Sequence, residues 1–229
     1  AEMSPPTAPV ENTQTQTVFV DEAKQISDAA NTIRWHRPSL HEADAPPSEP
    51  IPVFSHPEAV EAAVSVIEIV GSATRGTILH KLMEEVLTGE TQSTTAELER
   101  RATELLAQLG REPSADPKIG IAPKELAETI VRTLNLPEIA ALRPRLVAEH
   151  TIFGSEGDEG MKTLVSGIAD AVAYDVNDKI EVIIDWKSDI EMNEKKLLAY
   201  RTQLGDYRKQ TGAERALLVM MTTGKIVDA

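Results

Sequence analysis

Asp185, Trp186 and Lys187 close a run of β-branched and apolar residues that begins at Lys179. Such a run predicts a strand over 179–186. Side chains alternate across a strand, so Asp185 and Lys187 share a face and Trp186 points the other way. Ile180, Val182 and Ile184 lie on the Trp186 side, while Ile183 makes the Asp185–Lys187 face apolar. Two ionisable groups at the edge of a core need partners or a metal. The preceding predicted strand, Thr163–Tyr174, contains Gly167-Ile168-Ala169-Asp170, and a hairpin about Asn177-Asp178 brings Asp170 near Asp185. Two carboxylates that close repel unless something positive lies between them. A hard divalent cation such as Mg²⁺ takes oxygen ligands and meets that need, with Lys187 pointing at whatever the metal binds. A strand-end salt bridge from Lys187 to either aspartate accounts for the same letters, and for a lone Asp-x-Lys, three letters long, it is the favoured reading until other residues are added.

Three further groups carry possible chemistry. His80 sits in a predicted helix over 75–88, off the centre of the stripe Ile78, Leu79, Leu82, Met83 and Val86. A lone histidine there is usually a boundary residue. Glu149 falls in a predicted strand, Arg145–Phe153, and interrupts the row Val147, Thr151 and Phe153. Tyr200, Gln203 and Tyr207 form one stripe of a helix over 192–210, spaced i, i+3 and i+7. Taken alone, that stripe reads as tyrosines snorkelling at a boundary.

The elements that must hold these residues follow a simple order. A helix from Pro57-Glu58 to about Val70 is stopped by Gly71, the helix over 75–88 ends at Gly89, and Thr94–Leu109 and Pro123–Leu134 give two more. Three strands come next, then the helix over 192–210, then strands Arg215–Thr222 and Lys225–Asp228 joined at Thr223-Gly224. Helices, three strands, a helix and two strands predict one mixed sheet with helices packed against it. Nine of the 14 prolines lie in residues 1–57, which therefore read as an extended, mostly irregular acidic leader or interdomain linker, with 58–229 as the folded domain. Within that leader, the stretch 31–40 offers Ile33, Trp35 and Leu40 for docking onto the body.

Composition narrows the function. With no cysteine, disulfides, zinc ribbons and cysteine-held iron–sulfur clusters are excluded, and a reducing cytoplasm fits. Aromatics at 3% argue against a base-stacking platform. No run reaches the ~20 apolar residues of a membrane span. A net charge of −14 argues at first against nucleic acid, but residues 1–70 hold 11 acidic and three basic residues and so supply most of the excess.

In chain order, Arg75-Gly76-Thr77-Ile78-Leu79-His80-Lys81-Leu82-Met83-Glu84, Glu149, Gly167-Ile168-Ala169-Asp170, Asp185-Trp186-Lys187 and Gln203-Leu204-Gly205-Asp206-Tyr207 resemble the motifs of the RecB-like nucleases of the PD-(D/E)xK superfamily. The resemblance covers residues 71–229. Its Arg-Gly-Thr-x-x-His helix looks most like the carboxy-terminal nuclease domain of AddA/RecB-type helicase–nucleases. It implies an α/β, restriction-endonuclease-like fold with a central mixed sheet flanked by helices. It implies a Mg²⁺ or Mn²⁺ ion bound by His80, Asp170, Asp185 and the Trp186 carbonyl, and Lys187 positioning or activating the attacking water. Gln203 and Tyr207 would support the site and the DNA strand, and the role of Glu149 varies in the family. Some relatives carry a four-cysteine iron–sulfur site, which this chain lacks. By the same resemblance the protein is a cytoplasmic DNA exonuclease domain acting on single strands in double-strand break repair and recombination. Helicase domains would lie in the same chain, joined by the leader, with a second helicase–nuclease subunit as a further partner. A catalytically inactive nuclease fold used for binding, and a stand-alone exonuclease, are the competing readings. The presence of Asp170, Asp185 and Lys187 together favours an enzyme over the first.

Overall fold

Ser72, Thr94 and Asn193 each turn a side-chain oxygen back to a backbone N–H three residues on, and a helix starts after each. The structure is a computed structural model that describes residues 16–29, 32–39, 69, 71–157, 161–190 and 192–229. Its elements are α1 (Gln16–Ala29), β1 (Thr32–His36), α2 (Ala73–Thr88), α3 (Thr95–Gln108), α4 (Pro123–Leu134), α5 (Pro137–Leu142), β2 (Leu146–Glu156), β3 (Met161–Tyr174), β4 (Ile180–Lys187), α6 (Glu194–Thr211), β5 (Arg215–Met220) and β6 (Lys225–Asp228). Gly89 and Gly212 end α2 and α6 in the left-handed conformation that glycine adopts without strain. The helix expected over 58–70 lies outside the described residues except for Ile69. The short α5 was not expected. It is only six residues long, too short to display a periodicity.

The expected mixed sheet is present. Its order is β1-β3-β4-β5-β6, with β2 along the other edge of β3. β3 pairs antiparallel with both β2 and β4, whereas β4 and β5 run parallel and are joined by α6. The sheet is buried on both faces. On one side α2, α3, α4 and α5 pack on Val182, Ile184, Trp186, Leu217 and Val219. On the other, Tyr200, Leu204 and Tyr207 of α6 pack on Ile183, Leu218 and Met220. This split matches the alternation along β4, which puts Asp185 and Lys187 on the α6 face.

The leader differs from its expected irregular form. Residues 16–29 are helical, and β1 adds to the sheet in parallel register, from Thr32 opposite Met161 to His36 opposite Val165. His36 Nε2 then reaches Asp206 Oδ2 of α6 at 2.9 Å. Parallel pairing depends on a neighbouring strand offering a free edge, which proline counting along the chain does not register. Among the described residues no helix is long and apolar enough to cross a membrane.

Candidate active site

Asp170 and Asp185 stand on adjacent antiparallel strands, one step beyond the Ala171–Ile184 pair. Asp170 Oδ2 accepts the Trp186 backbone N–H at 2.7 Å, which ties the two strands together at the site. The other Asp170 oxygen, Oδ1, faces His80 Nδ1 of α2 at 3.6 Å. Asp185 is 5% exposed, Lys187 is 6% exposed, and Lys187 Nζ lies 3.1 Å from Asp185 Oδ2. The ion pair read from the strand therefore exists, alongside the juxtaposed carboxylates.

Burial and then the charge of Asp170 push the Asp185 carboxyl up, to about 7, against the downward pull of Lys187. His80 is drawn upward: burial opposes its charge, but the facing Asp170 carboxylate outweighs burial. Lys187 thus offsets only part of the cost of burying Asp185 beside Asp170.

The implied divalent metal can be tested against this geometry. Asp185 Oδ2 is buried with the Lys187 ammonium as its partner, and the carboxylate oxygens of Asp170 and Asp185 are the hard donors such a cation takes, with the ring nitrogen of His80 as a softer addition. Among the described residues, no three histidine, aspartate or glutamate side chains are gathered into a ready-made cage. The donors fit in kind, and metal binding must draw them together.

Glu149 stands opposite Asp170, and here the β2–β3 ladder breaks: partners flank the pair at Ala148–Ala171 and His150–Ala169. Its φ of 52° is left-handed, an uncommon conformation for a residue with a side chain. At the same point the strands change face. Leu146, Ala171 and Ala173 join the α2–α5 core, whereas Ile152 and Ala169 join the α6 core. The row expected around Glu149 is consequently split between the two faces, and its Val147 and Phe153 are exposed. Burial first, then the charges of Asp170 and Glu84, raise the Glu149 carboxyl.

Helix α6 completes the site from its other face. Tyr200, Gln203 and Tyr207 are all buried, so the stripe is core rather than a snorkelling boundary. The Tyr207 hydroxyl is hydrogen-bonded to the Gln203 side chain and the Ile168 backbone, two residues from Asp170. This explains the glycine of Gly167-Ile168-Ala169-Asp170: a Cβ at 167 would sit 2.5 Å from Cε1 of Tyr207. Gln203 and Tyr207 thus brace β3 beneath Asp170. The ring of Tyr200 lies 4.3 Å from Lys187 Nζ, and its hydroxyl donates to Asp189 Oδ2 at 3.0 Å.

Arg75 had no assigned role in the sequence, yet it anchors the mouth of the site. It is 1% exposed and grips Glu125 through Nε at 3.1 Å and Nη2 at 2.7 Å. Its Nη1 donates to the Ser188 carbonyl at 3.1 Å and to the Thr222 hydroxyl at 3.0 Å. The residue after Lys187 is thereby fixed to the first turn of α2, whose later turns carry His80. Gly76 permits the approach, since a Cβ there would meet Ser188 Oγ at 2.7 Å. A signal was legible: Arg75 continues the apolar stripe of Ile78, Leu79 and Leu82, and a buried arginine demands a buried carboxylate. Which carboxylate, 50 residues away, was not.

A cleft of about 1100 Å³ lies beside these groups, lined by His80, Glu84, Glu149, Asp189, Lys196 and Tyr200 among others, while Asp170, Asp185 and Lys187 are not part of its lining. A model of the PD-(D/E)XK nuclease superfamily matches residues 59–218. Among solved structures, the chain is similar to the crystal structure of SSO0001, with 20% identity over 67% of this chain and 74% of that one and a TM-score of 0.33. No curated protein matches.

Proposed function

Because the chain belongs to the PD-(D/E)XK nuclease superfamily, whose model spans residues 59–218, we propose that it is a metal-dependent deoxyribonuclease that hydrolyses phosphodiester bonds in the cleft between α2 and α6. One observation carries this reading: Asp170, Asp185 and Lys187 meet at the end of a hairpin, with the Asp185 carboxylate buried and paired to the Lys187 ammonium.

His80, Asp170, Asp185 and the Trp186 carbonyl would hold Mg²⁺ or Mn²⁺, which supplies Lewis acidity at the phosphoryl group and a more acidic bound water. The chain's own residues do the rest. Lys187 Nζ, held between Asp185 and the Tyr200 ring, orients the attacking water and offsets charge on the phosphoryl oxygens. The water oxygen bonds to phosphorus, its proton leaves to solvent or a neighbouring carboxylate, and the displaced oxygen departs with a proton. Gln203 and Tyr207 keep β3 in place under Asp170, and Arg75 keeps the chain after Lys187 in place.

The finer reading follows the motif resemblance. The domain, residues 58–229 with β1 of the leader as an added strand, serves a cytoplasmic helicase–nuclease in double-strand break repair and recombination, acting as a Mg²⁺-dependent exonuclease on single-stranded DNA. Helicase domains that hold and feed the strand would let an acidic domain act on DNA, through high effective concentration rather than intrinsic affinity.

The experiment is Mn²⁺ titration calorimetry with cleavage of end-labelled single-stranded DNA, on the parent and on Asp170→Ala/Asp185→Ala. The parent binds metal and cleaves, and the double variant does neither. Unchanged metal binding by the double variant refutes the site.

A further inference from the structure

Lys187 is a flexible side chain with four rotatable carbons, and it is ion-paired to Asp185 at 3.1 Å. Left to that attraction alone, the ammonium would stay collapsed on the carboxylate and away from the cleft. A second seat exists. Nζ also lies 4.3 Å from the centroid of the Tyr200 ring, where the quadrupole of an aromatic face attracts a cation. Tyr200 is itself held at its polar end. Its hydroxyl donates to Asp189 Oδ2 at 3.0 Å, and Lys196 Nζ donates to Asp189 Oδ1 at 2.8 Å. Lys196, Asp189, Tyr200 and Lys187 therefore form one chain from the cleft wall to the buried ammonium.

We infer that Tyr200 is a positioning residue for Lys187: its ring seats the ammonium, and Asp189, braced by Lys196, fixes the ring. This rests on the reading of Lys187 as the group acting at the phosphate. The sequence alone placed Tyr200 on one stripe with Gln203 and Tyr207, but those two brace β3, whereas Tyr200 faces Lys187. Two parts of one side chain carry two separable contacts. Phenylalanine keeps the ring and loses the tether, and leucine loses both.

The kinetic test is single-turnover cleavage and DNA affinity for the parent, Tyr200→Phe and Tyr200→Leu, each repeated in a Lys187→Met background. The expected loss of rate is about 3-fold for Phe and about 10-fold or more for Leu, with DNA affinity changed less than about 2-fold. In the Lys187→Met background the Leu substitution brings no further loss, because the group it positions is gone. A Leu variant as fast as the parent overturns the inference. So does a Leu variant that loses the same factor in both backgrounds, which would make Tyr200 mere core packing.

A second measurement needs no activity. In protein labelled with ¹³C-lysine, the ε-methylene resonance assigned to Lys187 by its absence in Lys187→Met should be shifted upfield by the ring. That shift should persist in Tyr200→Phe and vanish in Tyr200→Leu. An unshifted Lys187 in the parent overturns the contact. If the parent cleaves no DNA, the nuclease reading fails, and the resonance alone decides whether the ring seats the lysine.

Discussion

Replacing Lys187 by methionine separates its two roles. Methionine keeps most of the stem, so the buried volume is nearly filled, but the ion pair to Asp185 at 3.1 Å and the contact with the Tyr200 ring at 4.3 Å are lost. Breaking a fully buried ion pair costs about 3–5 kcal/mol when the remaining charge has nowhere to go. Here it has an exit, because Asp185 already titrates near 7 and simply takes a proton. The penalty at neutral pH is therefore about 1–3 kcal/mol, or roughly 3–10 °C in Tm for a domain of this size. The sign with pH follows. An acid whose folded pKa lies above its unfolded value destabilises the fold as pH rises between the two, and losing Lys187 raises the folded value further. The gap in Tm between parent and variant should be small at pH 6 and wider at pH 8. Cleavage should fall by at least the ~10²-fold typical of losing one positioned group, at both pH values. Thermal melts at the two pH values, beside single-turnover cleavage with Mg²⁺ or Mn²⁺, measure this. Cleavage at the parental rate would remove Lys187 from the chemistry. A Tm gap that does not change between pH 6 and pH 8 would show that Asp185 does not take up the proton.

Asp185→Asn mimics the protonated acid, which burial favours over the carboxylate, and should raise stability at pH 8. Melts should show that gain at pH 8 and its disappearance toward pH 4, while cleavage is lost; a destabilised variant at pH 8 contradicts the electrostatic account. Gly167→Ala drives a methyl into the Tyr207 ring and should lower stability by about 1–3 kcal/mol with loss of activity. Added to Tyr207→Leu the same change should matter little, and an equal penalty in both backgrounds would exclude the ring as the cause. Arg75→Met strands the buried Glu125 and should cost about 3–5 kcal/mol, part of which Glu125→Gln in the same chain should restore. Denaturant titration of the single and double variants tests that coupling.

The meeting of Asp170, Asp185 and Lys187 was legible along the chain because a strand has a fixed period of two. Once 179–186 reads as a strand, Asp185 and Lys187 must share a face, and a short turn at Asn177-Asp178 must bring Asp170 beside them. Helix ends were legible for an equally local reason: Ser72, Thr94, Asn193, Gly89 and Gly212 act on backbone groups within a few residues. What the chain could not specify was anything set by elements distant in sequence. The pairing of β1 with β3 depends on an open strand edge more than 120 residues on. The change of face at Glu149 and Asp170 breaks the very alternation used to read the strand, and only a sheet packed on both sides requires it. Arg75 advertised a buried charge, but its partner Glu125 and its hold on Ser188 come from the packing of α2 and α4 against the end of β4. Tyr200, Gln203 and Tyr207 share one helical stripe, which the sequence gives no means of dividing. The fold divides them, because Tyr207 meets Gly167 on β3 while Tyr200, two turns earlier on α6, meets Lys187 on β4.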